Sequence, residues 1–124
     1  MLDHIMINVQ NYERSKAFYQ AALAPLGYNL IMEVQGWAGF GVDDKPDCWG
    51  FWIQGGTPAL PPIHVAFRSD SRAKVRAFYE AALKAGGKDN GPPGIRETYH
   101  PHYYGAFIFD PDGHNIEAVC HNPE

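Results

Sequence analysis

The 124-residue sequence is poor in the features that mark several other classes of protein. Its two cysteines, Cys48 and Cys120, are too few and too far apart for a disulfide framework or a zinc knuckle, so we expect free thiols. It has no run of lysine or arginine and a net charge of −4, which disfavours nucleic acid as a partner. It shows no signal-peptide pattern and no long apolar segment, so we expect a cytoplasmic protein without a membrane partner.

The composition of the chain fits one compact domain. Hydrophobic residues make up 45% of the chain and charged residues 19%, so the chain can bury a core without disulfide or metal cross-links. Phe, Trp and Tyr supply 14% of the residues, which favours an aromatic-lined cavity. A small molecule is therefore the expected partner.

One segment of the chain recurs at an offset of 60 residues. AFYQAAL in the first half returns as AFYEAAL in the second, with six of the seven residues identical. His4 falls on His64 at the same offset, so the register extends from a strand into the following helix. We interpret this as a duplication within a single domain, with repeat 1 at about residues 1–57 and repeat 2 at about 61–124.

Each half reads as a strand, a helix and further strands. Residues 3–9 alternate apolar and polar side chains as a half-buried strand does, and the repeated segment then has apolar residues at helical spacing. Strand-like stretches follow in both halves, separated by glycine and by turns such as DPDG. Residues 87–94, GKDNGPPG, are expected to form a loop. The sequence therefore predicts an α+β fold of two tandem βαβββ modules with flanking helices.

Three side chains form a candidate metal site. His4 and His64 occupy matching positions on the first strand of each half, so a pseudo-twofold arrangement would bring both rings to one cavity. Glu117 alternates with the apolar Ile116 and Ala118, which places its carboxylate on the face opposite the core. Two imidazoles and a carboxylate are a recognised ligand set for a divalent ion. We expect one such ion as a cofactor: Zn, Ni, Fe, Mn or Co.

The helices SKAFY and AFYEAAL, and above all the segment FDPDGHNIEAV, resemble the vicinal oxygen chelate superfamily. That superfamily includes glyoxalase I, extradiol dioxygenases, fosfomycin-resistance thiol transferases, methylmalonyl-CoA epimerase and bleomycin-resistance proteins. The resemblance covers nearly the whole chain. It implies an eight-stranded, cup-shaped mixed sheet around a metal, with His4, His64 and Glu117 as the ligands, and it implies a homodimer.

The sequence departs from glyoxalase I at the family's fourth ligand position, where that enzyme has a glutamate. The position falls on the last strand of the first repeat, where Trp52 and Gln54 share strand parity. Trp52 cannot bind a metal, and Gln54 could bind one only weakly through its amide oxygen. The resemblance therefore implies a site with one carboxylate fewer. In the place of that ligand, Trp52 is a candidate substrate-binding residue that would form an apolar wall.

The segment YHPHYYGAF, residues 99–107, supplies further candidates. His102 and Tyr104 are candidate catalytic groups that protonate or orient an oxyanion, together with Glu117. His100 and Tyr103 are candidate substrate-binding residues. Packing of an aromatic loop explains all four of these side chains equally well.

Other polar and aromatic residues are more ambiguous. Arg68 shares strand parity with His64 and would pair with a substrate carboxylate if it faces the cup, but a solvated strand end also explains it. His114 lies in the DPDGH turn and reads as a turn residue. Trp37 and Trp49, like Trp52, either wall the cavity or pack in the core.

These features favour a metal-dependent enzyme of glyoxalase type, a lyase or isomerase whose substrate presents two neighbouring oxygens to the ion. An extradiol dioxygenase would use the same three ligands with iron. A fosfomycin-type thiol transferase shares the ligand spacing, although AVCHNPE lacks the basic residues that usually follow the last ligand. A different class is a protein that binds an antibiotic without catalysis, and the intact ligand set disfavours it.

Overall fold

The computed structural model describes residues 1–42 and 50–124, so Cys48 and Trp49 lie outside the described residues. Each half of the described chain has the order βαβββ, which confirms the predicted tandem modules. The first module contains β1 (Ile5–Val9), α1 (Tyr12–Leu23), a short 3-10 helix (Ala24–Leu26), β2 (Asn29–Val34), β3 (Trp37–Gly41) and β4 (Phe51–Gly55). The second contains β5 (His64–Ser69), α2 (Arg72–Lys84), β6 (Lys88–Ile95), β7 (Tyr104–Phe109) and β8 (Asn115–Cys120).

Both helices begin at side chains that satisfy free backbone N–H groups. The Asn11 side chain accepts a hydrogen bond from the N–H of Arg14, and the Ser71 hydroxyl accepts one from the N–H of Lys74. Beyond α1 and its 3-10 extension the chain turns at Gly27, whose φ of 84° is a conformation that favours glycine. These signals fix where each helix begins and where the chain turns toward β2.

The eight strands form two four-stranded sheets. Sheet A has the order β1-β4-β3-β2 and sheet B the order β5-β8-β7-β6. In each sheet the first and last strands of the module pair in parallel, and the remaining pairs are antiparallel. The two sheets are not joined in the described chain, since β1 and β5 are each an edge strand of their own sheet. The predicted α+β fold is confirmed, with its eight strands divided between two sheets.

Strand β6 is a correction, because residues 87–94 were expected to form a loop. The segment contains two prolines and three glycines, which disfavour a regular strand. Its pairing with β7 is interrupted by register shifts on both sides of Gly91, and these irregularities accommodate the unfavourable residues. The edge position of β6 also leaves one side of its backbone unpaired, where proline costs no hydrogen bond.

A single core joins the two modules. Inner side chains of both sheets and of both helices belong to one buried cluster. Phe51 on β4 and Phe67 on β5 meet edge to face with ring centroids 5.2 Å apart, so the two sheets contact each other directly. The buried hydroxyl of Tyr19 on α1 donates to Asp110 Oδ2 at 2.5 Å, which ties the first module to the turn between β7 and β8. The opposite face of each sheet therefore remains available for a site.

The outer face of sheet A is largely apolar. Met6, Trp52, Gly39 and Met32 are aligned across its four strands, and the large hydrophobic side chains Met6, Met32, Val34 and Trp37 are exposed. Among the described residues, no helix is long and apolar enough to cross a membrane.

Candidate metal centre and its pocket

His64 and Glu117 meet on the outer face of sheet B. They lie on the parallel neighbours β5 and β8, where Glu117 is the partner of Ala66, two residues beyond His64. His64 Nε2 is 3.1 Å from Glu117 Oε2. The Glu117 side chain is only 2% exposed, whereas that of His64 is 49% exposed. A nearly buried carboxylate requires compensation by a cation or by hydrogen-bond donors.

The hydrogen bonds of His64 fix which ring nitrogen carries its proton. Nδ1 lies 2.9 Å from the backbone oxygen of Asn115, and a carbonyl oxygen can only accept. The proton of the neutral ring is therefore on Nδ1, and the Nε2 lone pair faces the carboxylate oxygen of Glu117. Two such acceptors at 3.1 Å repel each other unless a proton or a metal ion lies between them. This arrangement is typical of a metal-binding histidine, whose other nitrogen donates to a carbonyl.

Tyr103 holds the second oxygen of the same carboxylate. Its hydroxyl donates to Glu117 Oε1. Burial, followed by the hydrogen bond and charge of Glu117, raises the pKa of Tyr103 well above its ordinary value, so the hydroxyl stays protonated. Gly105 leaves room for this contact, because a Cβ there would lie 3.1 Å from Glu117 Oε1 and 3.2 Å from the Tyr103 ring.

The pair opens into a concave pocket of about 490 Å³. Two of its residues, His100 and Tyr103, were predicted as substrate contacts. His121 was not predicted, although a signal existed: it follows Glu117 by four residues, so continued strand alternation places both on one face. The lining residues are His64, Tyr99, His100, Tyr103, Phe107, Asn115, Glu117 and His121.

Other predicted residues lie elsewhere. Tyr104 lies on the helix side of β7, where its hydroxyl accepts from Arg76 Nη1 at 3.3 Å and its ring contacts the Arg72 guanidinium at 5.1 Å. Adjacent strand residues point to opposite faces, so the contact of Tyr103 with Glu117 turns Tyr104 away. His102 is exposed, and its backbone N–H donates to His100 Nδ1 at 3.0 Å.

Arg68 and His114 also lie outside this pocket. Arg68 is exposed and lines a separate cleft together with Asp70 and Lys74. His114 is fully buried in the β7–β8 turn, as its position in DPDGH indicated, and its Nδ1 accepts from the N–H of Ile63 at 3.0 Å. Neither side chain is placed beside Glu117.

His4 does not join His64 and Glu117 within one chain. Its ring is exposed, with Nδ1 2.6 Å from Asp3 Oδ1. Within residues 1–42 and 50–124, no group of three or more His, Cys, Asp or Glu side chains is arranged to hold a metal ion. A single described chain therefore brings together two of the three predicted ligands.

Trp52 and Gln54 both point from β4 toward the outer face of sheet A. A Cβ on Gly39 would lie 2.8 Å from the indole of Trp52, so the ring lies flat over this glycine. Gln54 Nε2 donates to Asn8 Oδ1 at 2.7 Å. Trp52 thus forms an apolar surface on the sheet whose strand β1 begins directly after His4.

Comparison with known proteins assigns the family. The chain belongs to the Glyoxalase/Bleomycin resistance protein/Dioxygenase superfamily, which it matches over residues 1–118, and this confirms the resemblance found in the sequence. A glyoxalase/bleomycin resistance protein from Albidiferax ferrireducens T118 is 28% identical, with 98% of each chain covered and a TM-score of 0.78.

Two further solved structures share the fold. The fosfomycin resistance protein FosX from Mesorhizobium loti is 21% identical over 98% of this chain and 92% of its own, with a TM-score of 0.71. A putative glyoxalase from Bacillus halodurans is 24% identical over 97% and 95%, with a TM-score of 0.69. A comparison with curated proteins gives no match.

Proposed function

We propose that this protein is a divalent-metal-dependent enzyme of glyoxalase type, a lyase or isomerase acting on a small chelating substrate. The observation that carries the proposal is the 3.1 Å approach of His64 Nε2 to Glu117 Oε2, with His64 Nδ1 directed at the backbone oxygen of Asn115. Imidazole and carboxylate donors suit Zn, Ni, Fe, Mn or Co. Such an ion, when bound, supplies Lewis-acid polarisation of a substrate oxygen.

The third ligand, His4, is proposed to come from a second copy of the chain. His64 and Glu117 supply two donors, and the described chain does not add a third beside them. The Nδ1 of His4 is bonded to Asp3, which leaves Nε2 as the metal-binding nitrogen, as in a carboxylate–histidine–metal arrangement. If each chain supplies His4 to its partner's His64 and Glu117, the result is a homodimer with two equivalent metal sites.

The surfaces that would meet in this dimer have the properties of an interface. Strands β1 and β5 are sheet edges, and an unpaired edge presents backbone groups that another strand can satisfy. The outer face of sheet A exposes Met6, Val34 and Trp37, and apolar side chains grouped on one face mark contact surfaces. Placing sheet A of one copy beside sheet B of the other would cover the exposed strand edges and the apolar face of sheet A.

The side chains of the pocket have distinct proposed roles. Tyr103 keeps its proton and orients the Glu117 carboxylate. It is therefore a better candidate than Tyr104 for the group that protonates or orients a substrate oxyanion. Glu117 is proposed to bind the ion through the carboxylate that Tyr103 orients. Trp52 of the second copy would supply an apolar wall for the substrate body. His102 contacts the pocket residue His100 through its backbone N–H, and Arg68 lines a separate cleft, so a role for either side chain depends on the dimer.

Elemental analysis of protein purified without added metal tests the proposal. We expect one divalent ion per chain, and substitution of Glu117 by Gln or of His64 by Ala should remove it. Replacement of the exposed His102 by Ala is the matched control and should leave metal content unchanged. Iron together with ring opening of catechol would assign the chain to the dioxygenases, and a small-molecule binder without metal would contradict an enzyme of either kind.

A further inference from the structure

Two histidines form a hydrogen-bonded, edge-to-edge pair of nearly coplanar rings at the rim of the pocket. The rings of His100 and His121 lie 4.8 Å apart with an interplanar angle of 23°. His100 Nε2 is 2.5 Å from His121 Nδ1. Tyr103, which binds Glu117, has its ring 5.2 Å from that of His121. The pair is therefore one aromatic ring away from the carboxylate.

The positions of the protons in this pair follow from one backbone contact. The N–H of His102 donates to His100 Nδ1 at 3.0 Å, so that nitrogen is an acceptor and the ring proton of His100 is on Nε2. His100 Nε2 then donates to His121 Nδ1. Because Nδ1 of His121 accepts, the proton of its neutral ring must be on Nε2. A single arrangement of protons satisfies both hydrogen bonds.

The same contacts oppose a proton on Nδ1 of either ring. A proton added at His100 Nδ1 would oppose the His102 N–H, and one added at His121 Nδ1 would oppose the His100 N–H. Burial lowers the pKa of His100, and the neighbouring His121 and His102 lower it further. His121 Nε2–H, for which the described residues provide no acceptor, is a hydrogen-bond donor on a ring that lines the pocket.

We propose that His121 is a specificity-determining residue that donates its Nε2–H to a carboxylate oxygen of the substrate. This inference rests on the proposed metal-dependent function. Both oxygens of Glu117 are already engaged by Tyr103 and His64, whereas the Nε2–H of His121, on a ring that lines the pocket, is a donor to which the described residues offer no acceptor. A hydrogen bond to an ionised acceptor is stronger than a hydrogen bond to a neutral acceptor. The Tyr99 and Phe107 rings favour an aromatic body beside that carboxylate.

Two substitutions distinguish the hydrogen-bonding roles of the two ring nitrogens of His121. Asn places its amide where Nδ1 lies, so His121→Asn keeps an acceptor for His100 and loses the pocket donor. Gln reaches the position of Nε2, so His121→Gln keeps an N–H donor in the pocket. The probes are mandelate and 1-phenyl-1,2-ethanediol, which share an aromatic ring and neighbouring oxygens, and only mandelate carries a carboxylate.

Calorimetric binding to the zinc-loaded protein is the test. We expect His121→Asn to weaken mandelate binding about tenfold, leave the diol unchanged and retain zinc, whereas His121→Gln keeps most of the mandelate affinity. Equal losses for the two probes, or equal losses in the two variants, would overturn the proposal.

Nitrogen-15 NMR of the metal-free wild-type protein tests the donor independently of zinc and of any variant. Both rings should carry a proton on Nε2 and none on Nδ1. A His121 ring protonated at Nδ1 would overturn the inference. Failure of zinc to bind would instead contradict the proposed function, and the two failures are therefore distinguishable.

Discussion

His64 and Glu117 face each other across the parallel pair of β5 and β8, with Nε2 3.1 Å from Oε2 and the His64 Nδ1 proton committed to the Asn115 carbonyl. With one proton on the ring, the contact would place the Nε2 lone pair against a nearly buried carboxylate. A metal ion between the two atoms relieves that repulsion and uses both as ligands. The metal hypothesis thus rests on a hydrogen-bond pattern in addition to the identity of the residues.

Tyr103 and Tyr104 should differ in their effect on the metal. Tyr103→Phe removes the donor that orients Glu117, and loss of such a supporting contact typically lowers metal affinity about 10–100-fold. Tyr104→Phe removes only a contact with Arg76 on the helix side and should leave affinity unchanged. Competition with a fluorescent chelator measures both variants. Similar affinities for the two would contradict the placement of Tyr103.

The hydrogen bond from the Tyr19 hydroxyl to Asp110 should stabilise the contact between the two modules. Tyr19→Phe leaves a buried carboxylate with one donor fewer, so we expect the free energy of unfolding to fall by about 1–3 kcal/mol. Tyr99→Phe, at an exposed position, is the control and should have little effect. Urea denaturation followed by circular dichroism measures the difference. An unchanged midpoint for Tyr19→Phe would show that this contact does not hold the modules together.

Stability should depend on pH through Glu33. Hydrogen bonds from Lys16 and then from Tyr12 hold the pKa of the Glu33 carboxyl below its ordinary value of 4.5. A lowered pKa in the folded state contributes stability that is full above the unfolded pKa and is lost as pH falls through the folded one. The melting temperature of the wild type should therefore exceed that of Glu33→Gln at neutral pH, and the difference should shrink as the pH falls below 4.5 and through the lowered pKa of Glu33.

The exposed Glu97, which forms no ion pair within the described ranges, provides the control for that measurement. Glu97→Gln should follow the wild type at each pH. A Glu33→Gln difference that persists undiminished in acid would assign the effect to packing and not to the charge.

The tandem fold could be predicted because the duplication repeats both a strand residue and a helix. His4 and His64 identify the first strands, and AFYQAAL and AFYEAAL identify the helices. Strand β6 could not be predicted from the sequence, because its prolines and glycines disfavour a strand. Pairing with β7 outweighs that local preference. Local propensity carries no information about such a partner.

The site was predictable only in part for a similar reason. Glu117 and His64 follow from strand parity and the repeat, and the same parity reaches His121. The choice between Tyr103 and Tyr104 depends on which face of β7 each residue occupies, and that register is set by pairing with β8. The position of His4 depends on how the two sheets pack, which strand patterns do not encode.

Subunit complementation tests the central claim most directly. His4→Ala and His64→Ala should each bind metal weakly as homodimers. If each site draws on two chains as proposed, a heterodimer of the two, isolated through different affinity tags, contains one site with both histidines replaced and one with both intact. We predict one tightly bound ion per heterodimer. A heterodimer that binds no more metal than its parent variants, or a monomeric wild-type chain with a full complement of metal, would contradict the shared site.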